Sequence, residues 1–139
     1  MRRPDSSVAG RAAFALLCTI ACGNATADWT LVGGNARIYS AYADKGSVKR
    51  AGDNVRMYGL YDFQMVDVAP TGQPHESTIV LREYDCAMPR VRLLAFVDYA
   101  GHMGEGAVIS RRADESGARW ETIVSGALDE AFWTLACGR

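Results

Sequence analysis

Two cysteines, Cys86 and Cys137, constrain the fold of this chain more than any other feature. They are the only cysteines after residue 27, because the other two, Cys18 and Cys22, fall in a segment with the signature of an export leader. Two thiols left in a small exported domain are most simply joined as a disulfide. Such a bond ties the middle of the chain to its end and makes the last segment part of the fold.

The first 27 residues are predicted to be a cleaved signal peptide. Arginines at positions 2, 3 and 11 give a basic start, residues 12–21 are apolar, and residues 25–27 provide an A-x-A cleavage site. The apolar stretch is shorter than the roughly 20 residues of a membrane-spanning helix. Cleavage after Ala27 leaves one domain, residues 28–139. Two alternatives stay open: a buried N-terminal helix, and a lipid anchor on Cys22, where Thr19 fits the lipoprotein motif poorly.

The charge balance argues against nucleic acid as a partner. The 139-residue chain has a formal net charge of −1, and the leader contains three arginines but only one aspartate, so the remaining domain is more acidic. Its basic residues are scattered rather than gathered into a patch. A single domain is expected at this length. A chain this short buries only about two-thirds of its unfolded surface, so a covalent cross-link is useful.

Most of the domain has the pattern of short β-strands. The clearest strand covers residues 55–63, where one face carries Val55, Met57, Gly59, Tyr61 and Phe63. Further strands are predicted at residues 29–32, 37–43, 47–50, 78–85, 91–100, 107–110 and 120–124, with loops at 70–74, 101–106 and 111–119. Strands at this spacing, joined by tight turns, predict an antiparallel meander.

The final segment, residues 125–137, is predicted to be a helix. Ser125 is suited to cap its start and Gly138 to end it. An apolar stripe at helical spacing predicts that the helix packs on one face of the sheet, through Leu128, Ala131, Phe132 and Leu135. Cys137 falls outside that stripe, so either the helix is buried on two sides or the chain leaves helical geometry before Cys137. The predicted fold class is α+β, mainly β.

The sequence predicts no catalytic, cofactor-binding or metal-ligating residues, and the chain is predicted not to be an enzyme. His75 and His102 lack a ligand or base partner at a useful spacing and are interpreted as exposed loop residues. The carboxylates Glu83, Asp85 and Asp98 are interpreted as part of a solvated strand face rather than an acid–base pair. The sequence contains no Ser-His-Asp order and no Gly-rich phosphate loop.

The strand aromatics allow two interpretations. One is that they form cross-strand pairs and a sheet face beneath the helix. The other is an exposed tyrosine face for a protein or a planar ligand, with methionines at positions 57, 65 and 103 helping to line it. The residues concerned are Tyr39, Tyr42, Tyr58, Tyr61, Phe63, Tyr84 and Tyr99.

Several segments together resemble the surface-adhesin protein E family of Gram-negative bacteria. The resemblance covers essentially residues 28–139, and its most specific part is the run 82–86 (Arg-Glu-Tyr-Asp-Cys) followed by the terminal Ala-Cys-Gly at 136–138. The other matching positions are Trp29, residues 42–44, 52–58 and 60–63, Arg90, Arg92, residues 103–106 and Trp120.

The resemblance implies a small antiparallel sheet with a C-terminal helix laid across one face and held by a Cys86–Cys137 disulfide. It also implies an exported, non-enzymatic binding protein, in the periplasm or at the outer membrane and cell surface. Its expected partners are host matrix or serum proteins such as laminin or vitronectin, and two copies are expected to pair. The alternative is a periplasmic carrier or sensor of a planar, haem-like ligand. Residues 124–126 (Val-Ser-Gly) replace a proline that the family commonly has before the helix.

Overall fold

The computed structural model describes residues 26–69 and 72–139. The predicted leader up to residue 25, with Cys22, lies outside the described residues. The described chain forms eight β-strands and one α-helix. The strands are β1 (Trp29–Asn35), β2 (Tyr39–Asp44), β3 (Lys49–Ala51), β4 (Asn54–Val68), β5 (Pro74–Asp85), β6 (Arg90–Tyr99), β7 (Val108–Ala113) and β8 (Glu121–Thr122), and the helix is α1 (Leu128–Cys137).

The strands form one antiparallel meander in the order β1-β2-β4-β5-β6-β7. The short strands β3 and β8 lie outside this order, since β3 pairs with β4 and β8 pairs with β6. Every pairing in the sheet is antiparallel, as the hairpin spacing predicts. The predicted fold class, a small antiparallel sheet with one C-terminal helix, is confirmed.

One face of the sheet, called the helix face below, packs against α1. Its core side chains come from β2, β4, β5 and β6 and surround the ring of Phe132, which is 1% exposed. Gly59 allows that close approach, since a Cβ there would lie 3.3 Å from the Phe132 ring. The buried residues of this core are Ala41, Ala43, Val55, Met57, Tyr84, Val91, Ile123, Phe132, Ala136 and Cys137.

The helix starts later than the sequence predicts. Its N-cap position is Ala127, and the predicted cap, Ser125, lies outside the helix. No side chain of the described residues caps the first turn of the helix, and the Glu130 carboxylate instead accepts the N–H of Gly126, which lies before the N-cap, at 2.6 Å. Gly138 ends the helix in the left-handed conformation with φ 68°, as predicted. Ala131 is exposed, so its place in the predicted stripe is wrong.

The helix is buried on two sides, which decides between the alternatives left open for Cys137. Helical geometry continues through Cys137, and its Sγ is bonded to that of Cys86. On the same side, the Trp133 indole N–H donates to the Asp85 carbonyl at 2.7 Å. The disulfide therefore joins the end of α1 to the end of β5, as predicted.

Some predicted boundaries differ from the structure. Strand β4 continues to Val68 and β5 begins at Pro74, so this hairpin is longer than expected. The predicted 111–119 loop starts as strand, because β7 runs to Ala113, and the predicted 120–124 strand shrinks to β8. The 101–106 loop contains a 3-10 turn at His102–Gly104, which covers one end of the second sheet face, called the open face below.

Candidate functional site

Glu83 and Asp85 are buried on the open face and paired with arginines, so the prediction that they are solvated is wrong. Glu83 accepts from Arg56 at 3.2 Å and from Arg92 at 2.6 Å. Arg90 donates to Asp85 at 2.8 Å, and two backbone N–H groups donate to the same carboxylate. Burial disfavours the charged form, but these donors outweigh it and lower the pKa of Asp85.

The same arginines hold Trp120 against the sheet. The guanidinium carbons of Arg90 and Arg92 lie 4.7 and 4.5 Å from the centroid of the indole ring. Cation–π contacts of this kind fix the ring as well as the cations. The carboxylates and arginines of this cluster are thus occupied with one another, and their arrangement is that of a structural network rather than of an acid–base site.

His75 is buried, with 4% of its surface exposed, so its interpretation as an exposed loop residue is wrong. Its Nε2 lies 3.6 Å from Oδ1 of Asp98, which is itself buried, so the prediction that Asp98 is solvated is also wrong. The Asp98 carboxylate also accepts the hydroxyls of Thr78 at 2.7 Å and Ser110 at 2.5 Å. Within the described residues, Nδ1 of His75 has no hydrogen-bond partner.

This His75 cluster contains Ser, His and Asp but not in the order of a catalytic triad. In a triad the histidine links the serine to the aspartate, whereas here the Ser110 hydroxyl donates directly to Asp98. Asp98 is therefore the centre of a polar network that joins β5, β6 and β7. No local sequence pattern reveals it, because its members come from three separate strands.

His102 is exposed, as predicted, but it does have carboxylate neighbours. Its Nδ1 lies 3.2 Å from Asp62 and its Nε2 lies 3.6 Å from Glu76. Asp62 is buried and also accepts the Met103 N–H at 2.7 Å, which fixes the 3-10 turn against β4. Residues 26–69 and 72–139 contain no group of three or more side chains placed to hold a metal ion. No helix in these two ranges is long and apolar enough to cross a membrane.

The strand aromatics divide between the two faces. Tyr61 and Tyr84 lie on the helix face, where burial raises the pKa of both phenols. The centroid of the Tyr61 ring lies 5.8 Å from that of Tyr39 and 6.1 Å from that of Phe132, and Met57 is buried. These residues, which suggested a planar-ligand site, belong largely to the core. Tyr58 lies on the open face and is exposed.

The long β4–β5 hairpin extends past the strands on either side of it. Pairing of β2 with β4 ends at Phe63, and pairing of β6 with β5 begins at Ser77. Residues 64–69 and 72–76, called the arm below, therefore form a two-stranded extension of the sheet. Three of its side chains are apolar and largely exposed, namely Met65 at 65%, Val66 at 59% and Val68 at 60%.

A shallow groove of about 380 Å³ lies where the arm leaves the sheet. It is lined by Val66, Gln73, Pro74, Glu76, Ala100 and Ile109. Val68 extends this apolar surface, because it pairs with Pro74 across the two strands of the arm. We assign the arm and its groove as the candidate functional site, because three of the exposed large apolar side chains lie together on this hairpin.

A single meander sheet with one helix, tethered across it by a disulfide from the last turn, defines a small cross-linked α+β domain. A family model described as surface-adhesin protein E matches residues 29–138. The chain therefore belongs to the surface-adhesin protein E family. A comparison with curated protein sequences gives no match.

Solved structures of Haemophilus influenzae protein E have the same fold. One has a TM-score of 0.60 with 14% sequence identity, over 79% of this chain and 83% of that chain. Another, from non-typeable H. influenzae, has a TM-score of 0.56 with 15% identity, over 78% and 75% of the two chains. At such identities the likeness extends to the fold and not to individual binding residues.

Proposed function

We propose that this protein is an exported, non-enzymatic adhesin that binds host extracellular-matrix or serum proteins such as laminin or vitronectin. The observation that carries the proposal is the exposed apolar arm in a member of a surface-adhesin family. Exposed apolar surface of this kind is typical of protein-interaction sites. Residues 1–27 serve as the export leader in this proposal, and the folded domain is displayed at the outer membrane, where two copies can pair.

Location and binding are tested together. Intact cells are treated with protease, and the purified domain is titrated onto immobilised laminin and vitronectin by biolayer interferometry. We expect the protein to be cleaved on intact cells and to bind at least one of the two matrix proteins. A protein that is cleaved only after the outer membrane is opened, and that binds neither, contradicts the proposal.

The arm's role is tested by Met65→Asp, with Val124→Asp as the matched control. Both side chains are highly exposed, at 65% and 68%, but Val124 lies before the helix and away from the arm. Burying an unpaired neutral polar group costs about 1–3 kcal/mol and burying an unpaired carboxylate costs more, so Met65→Asp should weaken binding by about tenfold or more. Equal loss in the two variants would show that the arm is not the binding surface.

A further inference from the structure

The groove at the base of the arm is apolar surface that the core does not use. None of its six lining residues belongs to the hydrophobic core cluster, and Val66 remains 59% exposed. Strand pairing brings these side chains together but leaves the concavity between them open, and exposed apolar concavities are typical of binding sites.

The size of the groove limits what can occupy it. Its volume of about 380 Å³ is near the lower end of the roughly 300–1,000 Å³ of small-molecule sites. It lies between the arm and the turn that joins β6 to β7, with Ala100 and Ile109 on the sheet side. A trough between two hairpin ends fits one or two side chains of an extended segment better than a bulky cofactor.

The charge of the groove favours a basic neighbour. Glu76 is the only charged residue in the lining, and no lysine or arginine is among the lining residues. Its side chain is 38% exposed, and its Oε2 lies 3.6 Å from His102. A lysine or arginine next to the inserted apolar side chain would gain from Glu76, whereas an acidic neighbour would be repelled.

We propose that this groove binds an extended segment of the partner protein in which an apolar side chain lies beside a lysine or arginine. The inference rests on the proposed adhesin function and adds the chemistry of the segment that is recognised. Apolar burial against Val66, Pro74 and Ile109 supplies affinity, and Glu76 selects the charge of the neighbouring residue.

The test uses two short fluorescein-labelled synthetic peptides and the folded domain in a fluorescence-anisotropy titration. In one peptide leucine alternates with lysine, and in the other leucine alternates with glutamate. We expect the lysine peptide to bind about tenfold more tightly, a difference that should shrink as salt screens the charges. Equal binding of the two peptides, or no binding of either, overturns the inference.

Two variants locate the site. Val66→Ser removes apolar surface without adding charge and should weaken binding of the lysine peptide about tenfold, while Val124→Ser should leave it unchanged. Glu76→Gln keeps the shape of the side chain and should weaken binding of the lysine peptide by roughly two- to fivefold, which is the effect of losing one partly exposed ion pair. Binding of laminin or vitronectin with no peptide binding would reject the groove and leave the adhesin function standing. Peptide binding at the groove without matrix binding would reject the adhesin function alone.

Discussion

Removal of the Cys86–Cys137 disulfide should cost this domain about 4 kcal/mol of unfolding free energy. The bond closes a loop with a sequence separation of 51, and the loop-entropy relation for that length gives roughly 4 kcal/mol at 25 °C. The perturbation is the double variant Cys86→Ala with Cys137→Ala, which removes the bond without leaving a free thiol. The folded state keeps its other contacts at this point, including the bond from Arg50 to the Cys137 carbonyl at 2.9 Å.

The assay is urea unfolding followed by tryptophan fluorescence, because Trp133 lies beside the disulfide and donates to Asp85. With a denaturant slope of about 1.5 kcal/mol per molar, the midpoint should fall by roughly 2.5 M. The same loss should lower the melting temperature by about 15 °C. Wild-type protein treated with dithiothreitol is the control and should behave like the double variant.

A loss below about 1 kcal/mol would refute this reasoning, because it would mean that the unfolded chain is not restrained by the bond. A much larger loss, accompanied by loss of the near-ultraviolet circular dichroism, would show that the helix does not stay docked without it. In that case the bond would act on the folded state, and the loop-entropy account would also be wrong.

Two further predictions concern the packing of the core and the loss of stability at acid pH. Phe132→Ala should lower the unfolding free energy by about 3–5 kcal/mol, because the ring fills the space over Gly59. Ala131→Gly, on the exposed side of the helix, should lower it by about 1 kcal/mol. Urea unfolding midpoints measure both losses, and similar losses would contradict the assignment of the buried side of the helix. The lowered pKa of Asp85 means that its stabilisation is present above the unfolded value of about 3.9 and is lost as the pH falls through the lower native value. The difference in unfolding free energy between wild type and Asp85→Asn should therefore be largest near pH 7 and shrink below pH 4, and a difference independent of pH would show that the carboxylate charge is not what matters.

Strand pairing was predictable because its signals are local. The alternation of apolar and other residues from Val55 to Phe63 is visible within nine consecutive residues. The structure places Val55, Met57 and Tyr61 on the helix face, as this alternation predicts. Gly138 ended the helix where expected because only a left-handed residue closes it there. The helix starts later than predicted because Gly126 has φ 81° and Ala127 is extended, so the chain is not helical directly after Ser125.

The buried polar groups were not predictable, because each depends on contacts between distant residues. In the sequence, nothing distinguishes Asp98 from other strand carboxylates. Its hydrogen-bond donors, Thr78 and Ser110, lie 20 and 12 positions away in the sequence and contact it only across the sheet. The arm was missed for a similar reason. The sequence predicts a loop at residues 70–74 and places no strand at 64–69 or 75–76, because its composition near Pro74 favours turns. In the structure, pairing of Asp67 with His75 and of Val68 with Pro74 extends the hairpin.

Because α1 follows every strand in the order of elements, the sheet and its cover come from different parts of the chain. Without α1 docked, the helix face, with Ala41, Val55 and Met57, would be an apolar surface in contact with water. Exposed apolar surface of this kind makes incompletely folded molecules prone to aggregate. Docking of α1, held by the Cys86–Cys137 bond, therefore protects the domain against self-association as well as against unfolding.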